Sequence, residues 1–209
     1  MSVSNYLENK LLDKVLKDTA FTSAPVYAAL HTAAPGETGA NEATGGSYAR
    51  QQVAGANWNA GSGGLSDNTA AISFAGMPVA TIVGVSLWDA VSAGNCLWTG
   101  WLSTIVKPFV GNDVTTDFIR SPAHGFANSD RVAFEAEDAG TLPTGLVDTT
   151  LYFVVSAATD EFKVSLTDGG GAVDITAQGT GKVRKVTPKT LNSGDTFQIN
   201  AGDLDVKMF

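Results

Sequence analysis

The sequence predicts a mainly β fold of the sandwich or barrel kind, on three observations. Short strand candidates recur between clusters of Gly, Asn, Asp and Pro, about every 8–12 residues, as in sandwiches and barrels. Only one segment of the 209 residues carries a helical apolar period. Charged residues make up 16% of the chain, against roughly 25% in an average globular domain. Glycine contributes 23 residues and hydrophobic residues 44%, so the chain can bury a core while its surface relies on hydroxyl, amide and backbone groups.

The helix is predicted over about residues 4–17. Leu7, Leu11, Leu12, Val15 and Leu16 recur at spacings of three and four, with Glu8, Lys10, Asp13, Lys14 and Lys17 between them. Ser2 or Ser4 is the candidate cap, and the acid early and lysines late suit the helix dipole. Such a short helix is marginal alone in water and has to dock on its own domain or on a neighbouring subunit. Residues 25–31 (PVYAALH) alternate as a strand, with Val26, Ala28 and Leu30 on one face and Tyr27, Ala29 and His31 on the other. A Gly/Pro/Asn-rich loop is expected over 32–46, a strand over 47–53, and a second Gly/Asn-rich loop carrying Trp58 over 55–64. Further strands are expected over 70–74, 80–88 and 96–102, the last two joined by a turn at Gly94-Asn95. Residues 110–185 read as a separate unit, with strands near 117–119, 131–135, 151–156, 161–165 and 182–186. All four tryptophans lie outside that unit. A last pair, 196–200 and 204–208, is expected to fold about Ala201-Gly202-Asp203.

Several function classes are disfavoured. The net charge is −8, which opposes binding to nucleic acid or anionic lipid. The longest apolar run, residues 77–88, is shorter than the roughly 20 residues that span a bilayer. The first fourteen residues hold Glu8 and Asp13 and do not read as a signal peptide. Cys96 is the single cysteine, so no intramolecular disulfide forms, and synthesis in a reducing cytoplasm is the simplest reading.

Candidate chemistry is sparse. His31 ends a strand and His124 sits in a turn, so both read as structural; no G-x-S-x-G elbow, phosphate loop or dinucleotide fingerprint occurs. Glu135, Glu137 and Asp138 form an acidic run that reads as a solvated strand edge before it reads as a cation site. No catalytic, cofactor-binding or metal residue is assigned. Trp88, Trp98 and Trp101 fall on adjacent strands, and the odd spacing of Trp98 and Trp101 puts them on opposite faces. One belongs in the core; the other is available to a subunit interface or a stacked sugar. The candidate interface set is therefore Leu7, Leu11, Leu12, Val15, Trp58, Trp98 and Trp101.

Separated blocks in a fixed order carry a family resemblance: SNYLENKLLDKVL, VYAALHTAAPGETGANEATGGSYARQ, LWDA, GNCLWTGWLS and KTLNSGDTFQINAGDLDVKMF. Over residues 2–106 and 187–209 the chain resembles small virion proteins of tailed bacteriophages, usually described as tail fibre proteins. The intervening blocks SPAHGFANSDRVAF and LPTGLVDTTLYFVVSAATDEFKVSLTDGGGAVDITAQGTG resemble a small β module that recurs in phage tail and fibre proteins. The resemblance implies a β-sandwich or jelly-roll-like host domain, 1–107 with 187–209, carrying an inserted small β domain over 108–186. It places the strands around Trp101 and Lys189 side by side in the host sheet. It also implies a non-enzymatic structural protein on the virion, at or near the tail, partnered with itself as a homotrimer and with other virion proteins. The chain has no repeats or heptads of a fibre shaft, which keeps a head decoration or minor capsid role open. A glycan-binding receptor module is the remaining alternative.

Overall fold

The computed structural model describes residues 1–22, 25–136 and 140–208. Strand β1 (Ser2–Val3) leads into helix α1 (Asn5–Lys17), and β2 (Val26–His31), β3 (Gln51–Val53), β4 (Leu65–Ser66), β5 (Ile72–Phe74), β6 (Ala80–Ile82), β7 (Gly84–Trp88) and β8 (Cys96–Trp101) follow. The chain continues through β9 (Ser103–Phe109), β10 (Gly111–Asp113), β11 (Phe118–Arg120), β12 (Arg131–Ala136), β13 (Tyr152–Val155), β14 (Glu161–Ser165) and β15 (Gly181–Val186). It closes with β16 (Lys189–Leu191), β17 (Phe197–Ile199) and β18 (Val206–Lys207). The fold is mainly β, with every described pairing antiparallel. Two compact units divide it: Met1–Trp101 with Lys189–Phe209, and Leu102–Pro188.

The first unit holds a five-stranded sheet in the order β1-β8-β7-β2-β3. Strand β2 is buried from Ala28 to His31 and β7 along its whole length, so both read as apolar runs. The β7–β8 hairpin turns where expected: Gly94 adopts φ +75°, and Asp89 accepts from the Asn95 backbone N–H and side-chain amide at 2.7 and 2.8 Å. The remaining strands form a bent ribbon, in which residues 65–82 run against 189–207 in an almost constant register. Its three ladders are β6–β16, β5–β17 and β4–β18. Between ladders the pairing persists, through Gly194 N–H to Met77 O at 2.8 Å and Met77 N–H to Asp195 O at 2.9 Å. Asn68 holds the other bend. Its side-chain amide donates to Ala70 O and Asn200 O, both at 2.8 Å, and its Oδ1 accepts from Leu204 N at 2.9 Å. Three bonds from a fully buried amide satisfy backbone groups that the bend removes from the ladder.

Three expectations are corrected by this ribbon. Residues 80–88 are two strands, because the chain leaves β16 at Ile82 and joins β2 and β8 from Gly84. The last two strands do not pair with each other; each takes a partner in residues 65–74. Lys189 lies opposite Ile82, and its strand β16 does not pair with β8, the strand that ends at Trp101. Strand β8 is already flanked by β1 and β7, so it has no free edge to offer.

The second unit is a closed barrel. Its sheet order is β10-β11-β14-β13-β12-β15-β9, and the two end members are consecutive pieces of one run interrupted only at Val110. That run pairs with β15 over Ser103–Phe109 and with β11 over Gly111–Asp113, which leaves neither end as an open edge. Phe109, Ile119, Phe134, Tyr152, Phe162 and Val183 fill the interior, with Phe134 edge-on to Phe109 and Tyr152. Strand β9 was unforeseen because IVKPF reads weakly as a strand; Pro108 has no N–H, and Val106 and Pro108 point to solvent.

Candidate functional site

The most elaborate polar arrangement lies in the first unit, where the loop over 32–46 folds back on the sheet. His31 at the end of β2 is fully buried. Its Nδ1 lies 2.7 Å from Ala40 O and its Nε2 2.6 Å from Ser86 Oγ. A carbonyl only accepts, so Nδ1 carries the proton and Nε2 accepts from the Ser86 hydroxyl. Ser86 Oγ in turn accepts from Trp88 Nε1 at 2.7 Å. A serine–histidine contact therefore exists, although the sequence showed no signature of it; the partners are 55 residues apart and meet only through sheet pairing. It cannot work as a nucleophile pair as it stands, because both side chains are sealed from solvent and the serine oxygen is already engaged.

A partly buried ion pair fastens the same loop. Arg50, with 7% of its side chain exposed, meets Glu42 through Nη2 at 2.7 Å and Nε at 3.0 Å. Its Nη1 donates to Ala90 O and Ala93 O at 3.0 and 2.8 Å, which reaches into the β7–β8 turn. The guanidinium lies 3.6 Å from the Trp88 ring centroid. Tyr48 Oη donates to Glu42 at 3.1 Å and accepts from Leu30 N at 2.9 Å. Burial and the Glu42 charge raise the Tyr48 pKa above its ordinary value, so it stays a phenol. Gly39 (φ +68°) sits against Trp88 so closely that a β-carbon would overlap the indole. The block from His31 to Arg50 is thus a clamp built of unlike parts. Cys96 packs beside it, and burial pushes its thiol up to about 12, which leaves it unreactive.

The clamp gives the first unit a pH dependence. Burial is the main influence that lowers the His31 pKa below its usual 6.5, with Arg50 acting the same way and the Ala40 carbonyl and Glu42 opposing. The folded ring stays neutral while the unfolded ring takes up a proton, so this contribution is complete above about pH 6.5 and is lost as pH falls through the lower folded value. A tryptophan-fluorescence melt is expected to show stability falling below that pH. The slope should be smaller in His31→Gln, and equal slopes would show that the histidine is not responsible.

The predicted interface residues separate. Ser4 caps α1, accepting from Leu7 N at 3.3 Å and donating to Cys96 O at 2.7 Å, and Asp18 ends the helix in a left-handed conformation. Leu7 is buried at 3% within its own unit and is unavailable to a partner. Leu11 is half-buried. Leu12, Val15 and Leu16 are 57%, 79% and 75% exposed and form one i, i+3, i+4 face. Trp58, Trp98 and Trp101 are half-buried, with Trp98 Nε1 donating to Lys207 O at 3.2 Å. Register puts Trp98 opposite Leu87 and Trp101 opposite Gly84, hence on opposite faces. Trp88 is the core tryptophan.

In the second unit, Glu135 pairs with Arg184 across β12 and β15; Glu137 and Asp138 lie outside the described residues. Among the described residues no group of three or more His, Cys, Asp or Glu side chains is placed to hold a metal ion. His124 is buried, accepts from Phe126 N at 2.9 Å, and packs against Phe126 and Phe162. No described helix is long and apolar enough to cross a membrane.

These features define a β-rich structural protein whose polar chemistry is spent on holding loops. Residues 2–119 match the family described as podophage GP4 fiber I protein gp80, and the chain belongs to that family. It is a phage fibre-type structural protein and a component of the virion. The match passes beyond Trp101 into β11 of the second unit. No match was found among curated proteins.

Proposed function

We propose that the protein assembles as a homotrimer at the phage tail, through the outer face of α1, with the 102–188 unit carried as an inserted domain that projects from the particle and has no enzymatic role. The observation behind this reading is the exposed Leu12, Val15 and Leu16 stripe. Three large aliphatic side chains on one helical face are costly to leave in water, and a face of this kind is covered in an assembly. The salt bridges Lys14–Asp18 and Lys17–Asp13 lie along the same helix and keep its last turns formed. The half-buried Trp98 and Trp101 lie on opposite faces of β8, so one of them at most is a further aromatic anchor for such a contact.

Leu12→Asp combined with Val15→Asp is expected to convert a trimer to monomers in analytical ultracentrifugation while the far-ultraviolet circular dichroism stays unchanged. The substituted positions are exposed, so the monomer should fold. A wild-type monomer, or a variant that remains trimeric, would reject the interface. Position is tested separately by immunogold labelling of intact particles: gold at the tail supports the reading, and gold over the head surface would replace it with capsid decoration.

A further inference from the structure

We propose that the second unit is a strap for the first: its closed barrel holds the two ends of residues 102–188 together, and the first unit loosens when the barrel opens. The coupling runs through the chain ends and rests on the reading of 102–188 as an inserted domain.

Three observations carry this. First, the first unit is completed from beyond the insertion. Leu191, Phe197, Ile199, Leu204 and Val206 are all buried, and β16, β17 and β18 take their partners from residues 65–82. Asn68 reaches the same returning segment through Asn200 O and Leu204 N. These contacts form only when the chain comes back to where it left. Second, the barrel closes from its own residues. Its pairings all join residues between Ser103 and Val186, and its core cluster lies within the same span. Third, the strands that enter and leave the unit are partners. β9 and β15 pair from Ser103 opposite Val186 to Phe109 opposite Gly181, and the bond from Thr187 N–H to Leu102 O at 2.8 Å carries the pairing to the boundary. The closed barrel therefore presents residues 102 and 187 as hydrogen-bonded neighbours. Opened, the same segment is a loop of roughly 90 residues whose ends have to meet before 189–207 can dock. The chance of closure falls with about the three-halves power of loop length, so exchanging that loop for a closure of a few residues favours the folded first unit about a hundredfold. The coupling is reciprocal, and the folded first unit favours the closed barrel by the same factor.

The test uses the full chain in a Cys96→Ala background. Phe134→Asp with Phe162→Asp puts two carboxylates into the barrel interior, where both rings are buried and stacked on each other, and opens it. Hydrogen exchange over 102–188 registers the open barrel. Tryptophan fluorescence in urea reports the first unit, which holds all four tryptophans. The folding equilibrium constant of the first unit is expected to fall about a hundredfold. Ser103→Cys with Val186→Cys, at positions that face each other in the ladder, then allows the ends to be joined covalently. Oxidation of that pair should restore most of the loss while the barrel stays open, and reduction should remove it again. An unchanged tryptophan transition beside an open barrel overturns the proposal and leaves 102–188 an inserted domain. A loss that oxidation does not restore also overturns it, and shows that the two units are inseparable, which rejects the inserted-domain reading as well.

Discussion

Arg50→Ala is expected to destabilise the first unit by about 3 kcal/mol, the lower end of the cost of breaking a buried ion pair, because Glu42 keeps 24% of its side chain exposed. The loss is compound. Glu42 is left with only the Tyr48 hydroxyl, the carbonyls of Ala90 and Ala93 lose their donor, and the Trp88 face loses its cover. Against a total stability of about 5–15 kcal/mol, a change of that size is a large fraction of what holds the unit together. All four tryptophans lie in Met1–Trp101, so their fluorescence during urea unfolding reports this unit alone. Arg50→Lys should fall between the two, because an ammonium keeps the charge but not the fork that engages Glu42 and two carbonyls at once. A shift below about 1 kcal/mol for the alanine variant would mean that the pair behaves as a solvated surface bridge.

Removing residues 102–188 and joining Trp101 to Lys189 by a short glycine linker is expected to eliminate one unfolding unit and leave the other cooperative. The ends of the excised segment are already adjacent, with Thr187 N–H donating to Leu102 O at 2.8 Å. A short linker therefore replaces a closed excursion without stretching the chain. The excised piece should fold as an isolated barrel, since its strands pair in a closed ring around their own core. Loss of the cooperative tryptophan transition in the shortened chain would overturn the view that the barrel is an inserted domain.

Local patterns were readable wherever neighbours in sequence settle the structure. The apolar spacing of α1, the Ser4 cap and the Gly94 turn depend on contacts within a few residues. Trp98 and Trp101 on opposite faces follow from strand alternation, but the core place expected for one of them is taken by Trp88, and both stay half-buried. The site was less legible. His31, Ser86 and Arg50 look unremarkable in isolation, and their contacts with Ala40, Trp88 and the 90–93 turn require a finished sheet. The periodic stripe of α1 did not reveal that Leu7 would be buried while Val15 stayed in solvent; period gives the face of a helix, and docking decides how far along that face burial extends.

What the sequence determined by itself is the class: a low-charge, turn-rich β chain with one capped helix and ordered blocks of a phage fibre family. Those properties rest on composition and short-range order. Tertiary structure alone decided the partners. It set residues 189–207 against 65–82 across more than a hundred positions, closed β9 and β10 into a barrel, and turned a loop, a histidine and an arginine into one clamp. Strand pairing is a contest among edges, and the winner depends on which edges remain open once the rest of the chain has folded.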